Sequence, residues 1–130
     1  MREILFRGKR IDNGEWVEGA FLNDRDGAFY ICPAVSDISY GDSGNRRRIG
    51  CWYKIGQSTV GQFTGLTDKN GKRIFEGDIL SLRTGRPHVV RFEDGAFVLE
   101  NTAIPVRFAN KFEVIGNIHD NPELLEAPDA

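Results

Sequence analysis

Two carboxylates separated by one glycine, Glu76-Gly77-Asp78, come nearest in this chain to a catalytic spacing. In a strand, residues two apart project from the same face, so the pair could converge on a metal ion or share acid–base work. No third ligand or base stands close in sequence, and the triplet reads more simply as a turn at a strand start whose carboxylates accept backbone N–H bonds. His88 opens an apolar run and His119 closes one, which predicts two half-exposed strand ends without an orienting partner. Ser58-Thr59 lacks the nucleophile-elbow pattern. Gly61-Gln62-Phe63-Thr64-Gly65 lacks the Gly-Lys-Ser/Thr and the following helix of a phosphate loop. Cys32 and Cys51 are isolated, with no Cys-x-x-Cys pattern, so the expectation is a reduced pair of buried thiols in a cytoplasmic protein. These residues assign no catalytic group, no metal and no cofactor.

A binding feature is easier to find. Arg46-Arg47-Arg48 is the densest positive charge in the chain, with Trp52 and Tyr53 close behind. Arginines beside aromatic rings can contact a phosphate backbone and stack on bases. The same cluster can also be a solvated loop balanced by Asp37 and Asp42, or an arginine patch that meets acidic surface on a protein partner. A formal net charge of −2 gives no chain-wide attraction to nucleic acid or to an anionic membrane. That balance favours solvent or protein over nucleic acid as what Arg46, Arg47, Arg48, Trp52 and Tyr53 meet.

The elements that position these residues are short strands. The chain has 130 residues, 40% of them apolar, enough for one domain or two small β subdomains. Fifteen glycines against five prolines fit many strands joined by tight turns. No stretch approaches the roughly 18–20 apolar residues of a membrane span, and the opening apolar run is too short for a signal peptide.

Four Asn-Gly or Asp-Gly pairs mark the turns, because both central residues of a type I′ turn need positive φ. About Asn13-Gly14 the predicted register sets Ile11 opposite Trp16, Phe6 opposite Phe21 and Gly8 opposite Gly19. Asp26-Gly27 leads into an apolar strand over Phe29-Tyr30-Ile31-Cys32, stopped by Pro33. About Asn70-Gly71, Lys69 would face Lys72, Asp68 would face Arg73 and Leu66 would face Phe75. The hairpin about Asp94-Gly95 sets Phe92 opposite Phe97 and Val90 opposite Leu99, predicting that these four are buried together on one face. Between Pro33 and Asn45 the pattern dissolves into a polar surface loop, and Ile49–Ile55 resumes strand character. Strands are also predicted over Ile79–Leu82 and Phe112–Ile118, and Asn121-Pro122-Glu123 reads as the start of a short helical turn with Asn as its N-cap.

The blocks FRGKRIDNGEWVEG, TVGQFTGLTDKNGKRIFEGDIL and EVIGNIHDNPELL, in that order, resemble the YopX family of phage and prophage proteins. The match covers both ends and the centre and is loosest from Asn23 to Gln57. The resemblance implies a small all-β protein from phage genomes and Gram-positive bacteria, with no established activity and no catalytic residue to carry over.

The resulting expectation is an all-β fold of short antiparallel strands and hairpins in small barrel-like subdomains. One covers residues 1–62; the other covers 63–130, is SH3-like and ends in a short helical turn. The expected function is that of a non-enzymatic accessory protein acting by protein binding or self-association in the cytoplasm of a phage or prophage host. The alternative is a nucleic-acid-binding module built on the Arg46–Arg48 loop.

Overall fold

The computed structural model describes residues 3–33, 52–82 and 85–126. Ten strands run through them: β1 Phe6–Lys9, β2 Trp16–Asn23, β3 Phe29–Cys32, β4 Tyr53–Ile55, β5 Gly61–Thr67, β6 Arg73–Phe75, β7 Asp78–Ser81, β8 Pro87–Glu93, β9 Ala96–Leu99 and β10 Glu113–Asn117. The helical segments among the described residues are three 3-10 turns, Gln57–Thr59, Val106–Lys111 and Pro122–Leu125. The strands form two antiparallel sheets, in the orders β4-β3-β2-β1-β5-β6 and β10-β7-β8-β9. The all-β expectation holds, but the sheets do not close into barrels among the described residues. The chain divides into two compact units, Glu3–Gln62 and Phe63–Ala130.

In the first unit β1, β2, β3 and β4 pair in succession, and an isolated bridge from Arg10 to Ile55 brings β4 back to the end of β1. Ile31, Cys32 and Ile55 are buried. The β1–β2 register sets Phe6 opposite Gly19, Gly8 opposite Val17 and Lys9 opposite Trp16, two residues from the predicted pairing. A shift of two keeps each side chain on its face, and Phe6 still packs on Phe21 across the diagonal at 5.3 Å between ring centres. The loop itself causes the shift. Gly14 N–H bonds to the Arg10 carbonyl, Arg10 N–H to the Glu15 carbonyl, and the Arg10 guanidinium grips Asp12 through two hydrogen bonds. Four residues are therefore spent on the turn where two were expected, and Ile11 is left 60% exposed.

Gly19 and Gly8 are not opposite each other; each is glycine because something lies against it. A Cβ on Gly19 would stand 1.8 Å from the Cys32 backbone carbonyl oxygen, and one on Gly8 would stand 2.2 Å from Ile55 Cδ1. Backbone cannot move without parting β2 from β3, whereas an isoleucine tip can turn. Gly19→Ala is expected to cost about 1–3 kcal/mol, and more than Gly8→Ala, in a urea titration of each variant. Cys32 is disulfide-bonded, which corrects the expectation of two reduced thiols. Spacing along the chain does not report the strand register that brings neighbours to a buried cysteine. The other cysteine, Cys51, lies outside the described residues.

In the second unit β7, β8 and β9 form a meander and β10 returns to pair with β7. The core joins Ile74, Leu80, Val90, Leu99, Ala109 and Phe112, with Leu66, Phe97, Val106 and Val114 packed against it. The Asp94-Gly95 turn has positive φ at both central residues and gives the predicted pairs Phe92–Phe97 and Val90–Leu99, with Arg91 opposite Val98 between them. Val90 and Leu99 are buried as expected, but Phe92 is 50% exposed and Phe97 half-buried. The hairpin outruns the core: Phe97 packs against its edge, and Phe92 reaches beyond it, edge to face on Phe97 at 5.0 Å.

The Asn70-Gly71 turn departs from its predicted register by one residue: Thr67 pairs with Arg73, and Asp68 N–H bonds to the Lys72 carbonyl. Only Gly71 has positive φ. This is a type I turn followed by a left-handed glycine, with three residues in the loop. Asp68 selects it, because its Oδ1 accepts from the N–H groups of Asn70 and Lys72 at 2.8 and 2.9 Å. Asp24 does the same at the second turn, where Oδ1 accepts from Asp26 and Ala28, and Gly27 takes positive φ.

Candidate functional site

The carboxylates with chemical potential serve the backbone. Asp78 is buried at the start of β7, and its Oδ2 accepts from Phe75 N–H at 2.8 Å, across the Gly77 turn. Gly77 takes φ +94°, and its N–H and C=O bond to Val90 and Ile118. The Glu76-Gly77-Asp78 triplet thus forms the strand-opening turn read from its composition. Asp68 Oδ2 accepts from Val114 N–H at 2.9 Å, so one side chain closes a turn and caps β10. Burial alone would raise the Asp68 carboxyl; the N–H donors of Val114, Lys72 and Asn70, with the nearby Lys72 charge, outweigh it and hold the group below its ordinary value.

The histidines differ from expectation in one case. His88 is buried where a half-exposed strand end was predicted, with Nδ1 donating to the Glu100 carbonyl at 2.7 Å and its ring edge-on to Phe112. His119 is half-buried, and its N–H bonds to Asn117 Oδ1. Thr59 holds Lys9 N–H and the Gly56 carbonyl with one hydroxyl. Among the described residues, no three His, Cys, Asp or Glu side chains gather to hold a metal ion, and no helix is long and apolar enough to cross a membrane.

Of the predicted binding cluster, Arg46, Arg47 and Arg48 lie outside the described residues. Trp52 is half-buried just before β4. Tyr53 opens β4, and the Arg10 guanidinium lies 4.1 Å from its ring centre. The bond to Asp12 raises Arg10 above its ordinary value and lowers Asp12 below its own, so both stay charged. That face of Tyr53 is therefore occupied by a cation from its own unit. Trp16, which sequence reasoning placed beside Ile11, instead lies under Arg7 at 4.8 Å.

A surface that no motif marks lies beside β9. The segment Thr102–Arg107 lines a cleft of roughly 370 Å³ together with Phe97, Val98 and Leu99 of β9. That volume is at the small end of the ~300–1,000 Å³ typical of ligand pockets. The type I′ turn and the bond from Glu100 N–H to the Val89 carbonyl fix which β9 groups face β8. Alternate pairs in an antiparallel ladder exchange hydrogen bonds, so the N–H and C=O of Phe97 and Leu99 point the other way, to the edge. They have no hydrogen-bond partner among the described residues, but Leu99 is only 4% exposed, so of the two only half-buried Phe97 reaches the surface. The opposite edge is treated differently, since Val114 and Asn117 N–H on β10 are taken by Asp68 Oδ2 and Asn121 Oδ1. Asn121 therefore bonds back to β10 and does not cap its own 3-10 turn, as its position before Pro122 had suggested. The only sequence signal for the cleft is an apolar run without strand period, Ala103-Ile104-Pro105-Val106.

Comparison with known proteins adds lineage to this geometry. No curated protein matches the chain. It is similar to the crystal structure of protein EF1440 from Enterococcus faecalis, with a TM-score of 0.64 and 30% identity over 97% of this chain and 100% of that chain. The family model described as YopX protein matches residues 5–126, across both units, and the chain belongs to the YopX family.

Proposed function

We propose that this chain is a phage- or prophage-derived accessory protein that works by contact with protein, its own copies or a partner, and not by catalysis. The observation that carries this reading is the contrast between the two edges of the second sheet. Side chains cap β10, while on β9 the outward N–H and C=O of half-buried Phe97 have no hydrogen-bond partner among the described residues and lie beside an apolar cleft. An open strand edge is a template for another chain unless it is blunted. The SH3-like comparison for residues 63 onward rests on the β7–β9 meander, the 3-10 turn and the return of β10 to β7. It is a fold analogy, and function is argued from the site. We place the protein inside the host cell on family grounds; a disulfide at Cys32 would form there only under oxidising conditions.

The nucleic-acid alternative is weaker because Tyr53, one of its two stacking residues, is covered by Arg10. Gel-shift titrations of the full chain with random duplex DNA at physiological salt should show no complex. Tight DNA binding that falls steeply with salt, and is lost when Arg46, Arg47 and Arg48 are changed to Ser, would overturn the protein-contact reading.

A further inference from the structure

We propose that the tip of the β8–β9 hairpin and the cleft beside it form one self-complementary surface, on which a second copy of this chain docks. This names the partner for the protein-contact reading above and rests on it. Three of the exposed large apolar side chains gather here, Phe92, Ile104 and Phe108. Phe97 joins the first two, since its ring packs on Phe92 at 5.0 Å and it lines the cleft with Ile104. Arg107 joins the third, since it lines the same cleft and its guanidinium lies 4.8 Å from the Phe108 ring centre. Leu99 is buried, so contact here is made by side chains and not by strand addition.

Charge identifies the partner. Glu93 and Asp94 at the tip and Arg107 in the cleft are exposed, and none of the three makes an ion pair among the described residues. By contrast Arg91, in the same hairpin, is paired with Glu100 at 2.9 Å. A patch that carries both signs of charge beside an apolar centre is complementary to a rotated copy of itself. About a two-fold axis, the acidic tip of one copy meets Arg107 of the partner subunit, and the same contact repeats in reverse, which closes a dimer. The Phe92 ring of each copy then meets the cleft of the other. The patch is small beside the roughly 1,200–2,000 Å² of a standard interface, so the dimer is weak, with a dissociation constant on the order of 100 µM.

The test is sedimentation equilibrium of the full chain, from about 10 µM to about 1 mM, with two variants of opposite charge. Arg107→Glu makes tip and cleft both acidic. Glu93→Lys combined with Asp94→Asn makes both basic, and Asn tolerates the positive φ of that position. All three positions are exposed, so each variant should melt as wild type does. Each variant alone should dimerise at least about tenfold more weakly than wild type, because the two-fold axis repeats the repulsion. An equimolar mixture of the two should return to within about threefold of wild type, since unlike surfaces then meet. Phe92→Ser, which keeps every charge, should weaken the dimer about tenfold. A wild type that stays monomeric at about 1 mM, variants that dimerise as wild type does, or a mixture no tighter than its components would overturn the proposal. The second of these outcomes would leave the protein-contact reading intact, on another surface, and that reading fails separately, on the DNA titration.

Discussion

Phe112→Ala is expected to lower stability by about 3–5 kcal/mol, a large part of what a small domain possesses. Phe112 is 1% exposed and lies among Ile74, Leu80, Val90, Leu99 and Ala109. Its backbone is also committed, the N–H to the Ala109 carbonyl and the C=O to Lys69 N–H. Neither neighbour can collapse into the hole without breaking the turn that carries it. Phe97→Ala should cost less, because Phe97 is half-buried against the edge of that cluster. Phe92→Ala at the exposed tip should stay within about 0.5 kcal/mol of wild type apart from its ring contact. Urea midpoints for the three variants check the order, and a larger loss for Phe97→Ala than for Phe112→Ala would contradict this placement of the core.

Asp68→Ala should cost about 3 kcal/mol, because three N–H donors, on Asn70, Lys72 and Val114, lose one buried charged acceptor. The effect depends on pH in a definite direction. The folded Asp68 carboxyl titrates below its ordinary value, so its contribution is complete above the unfolded value of about 3.9 and is lost as pH falls through the folded one. The stability gap between wild type and Asp68→Asn should therefore be widest near neutral pH and shrink below about pH 4. Thermal melts across that range test it, and a gap that grows in acid would rule out the charged acceptor.

The same aspartate shows what the sequence could and could not disclose. All four glycine-bearing tips are turns between antiparallel strands, because positive φ is a local demand that Asn-Gly and Asp-Gly meet. Which turn forms depends on one residue more. Where Asp stands three places before the glycine, as in Asp24–Gly27 and Asp68–Gly71, its carboxylate holds the N–H groups two and four residues on and a three-residue loop results. Phe92 holds the corresponding place before Gly95, and there the two-residue type I′ turn forms as predicted. Reading the dipeptide alone misplaced the register about Asn70-Gly71 by one residue.

Tertiary contacts were less legible. Alternation placed Phe92 and Phe97 on the same side as Val90 and Leu99, but face does not say how far along a hairpin the core extends. The cleft arises where Thr102–Arg107 lies against β9, and that segment has no period to announce it. The Arg46–Arg48 cluster, the strongest feature of the bare sequence, lies outside the described residues.

Amide hydrogen exchange of the full chain at low and at high protein concentration tests the central claim, contact with protein, most directly. The dilute chain should exchange Phe97 quickly, and Val98 and Glu100 slowly, because only the latter two face β8. At high concentration Phe97 should slow at least about tenfold and Val98 and Glu100 should stay as they were. Equal protection of all three in the dilute chain, or no slowing of Phe97 at high concentration, would contradict a β9 surface that works by contact with its own copies.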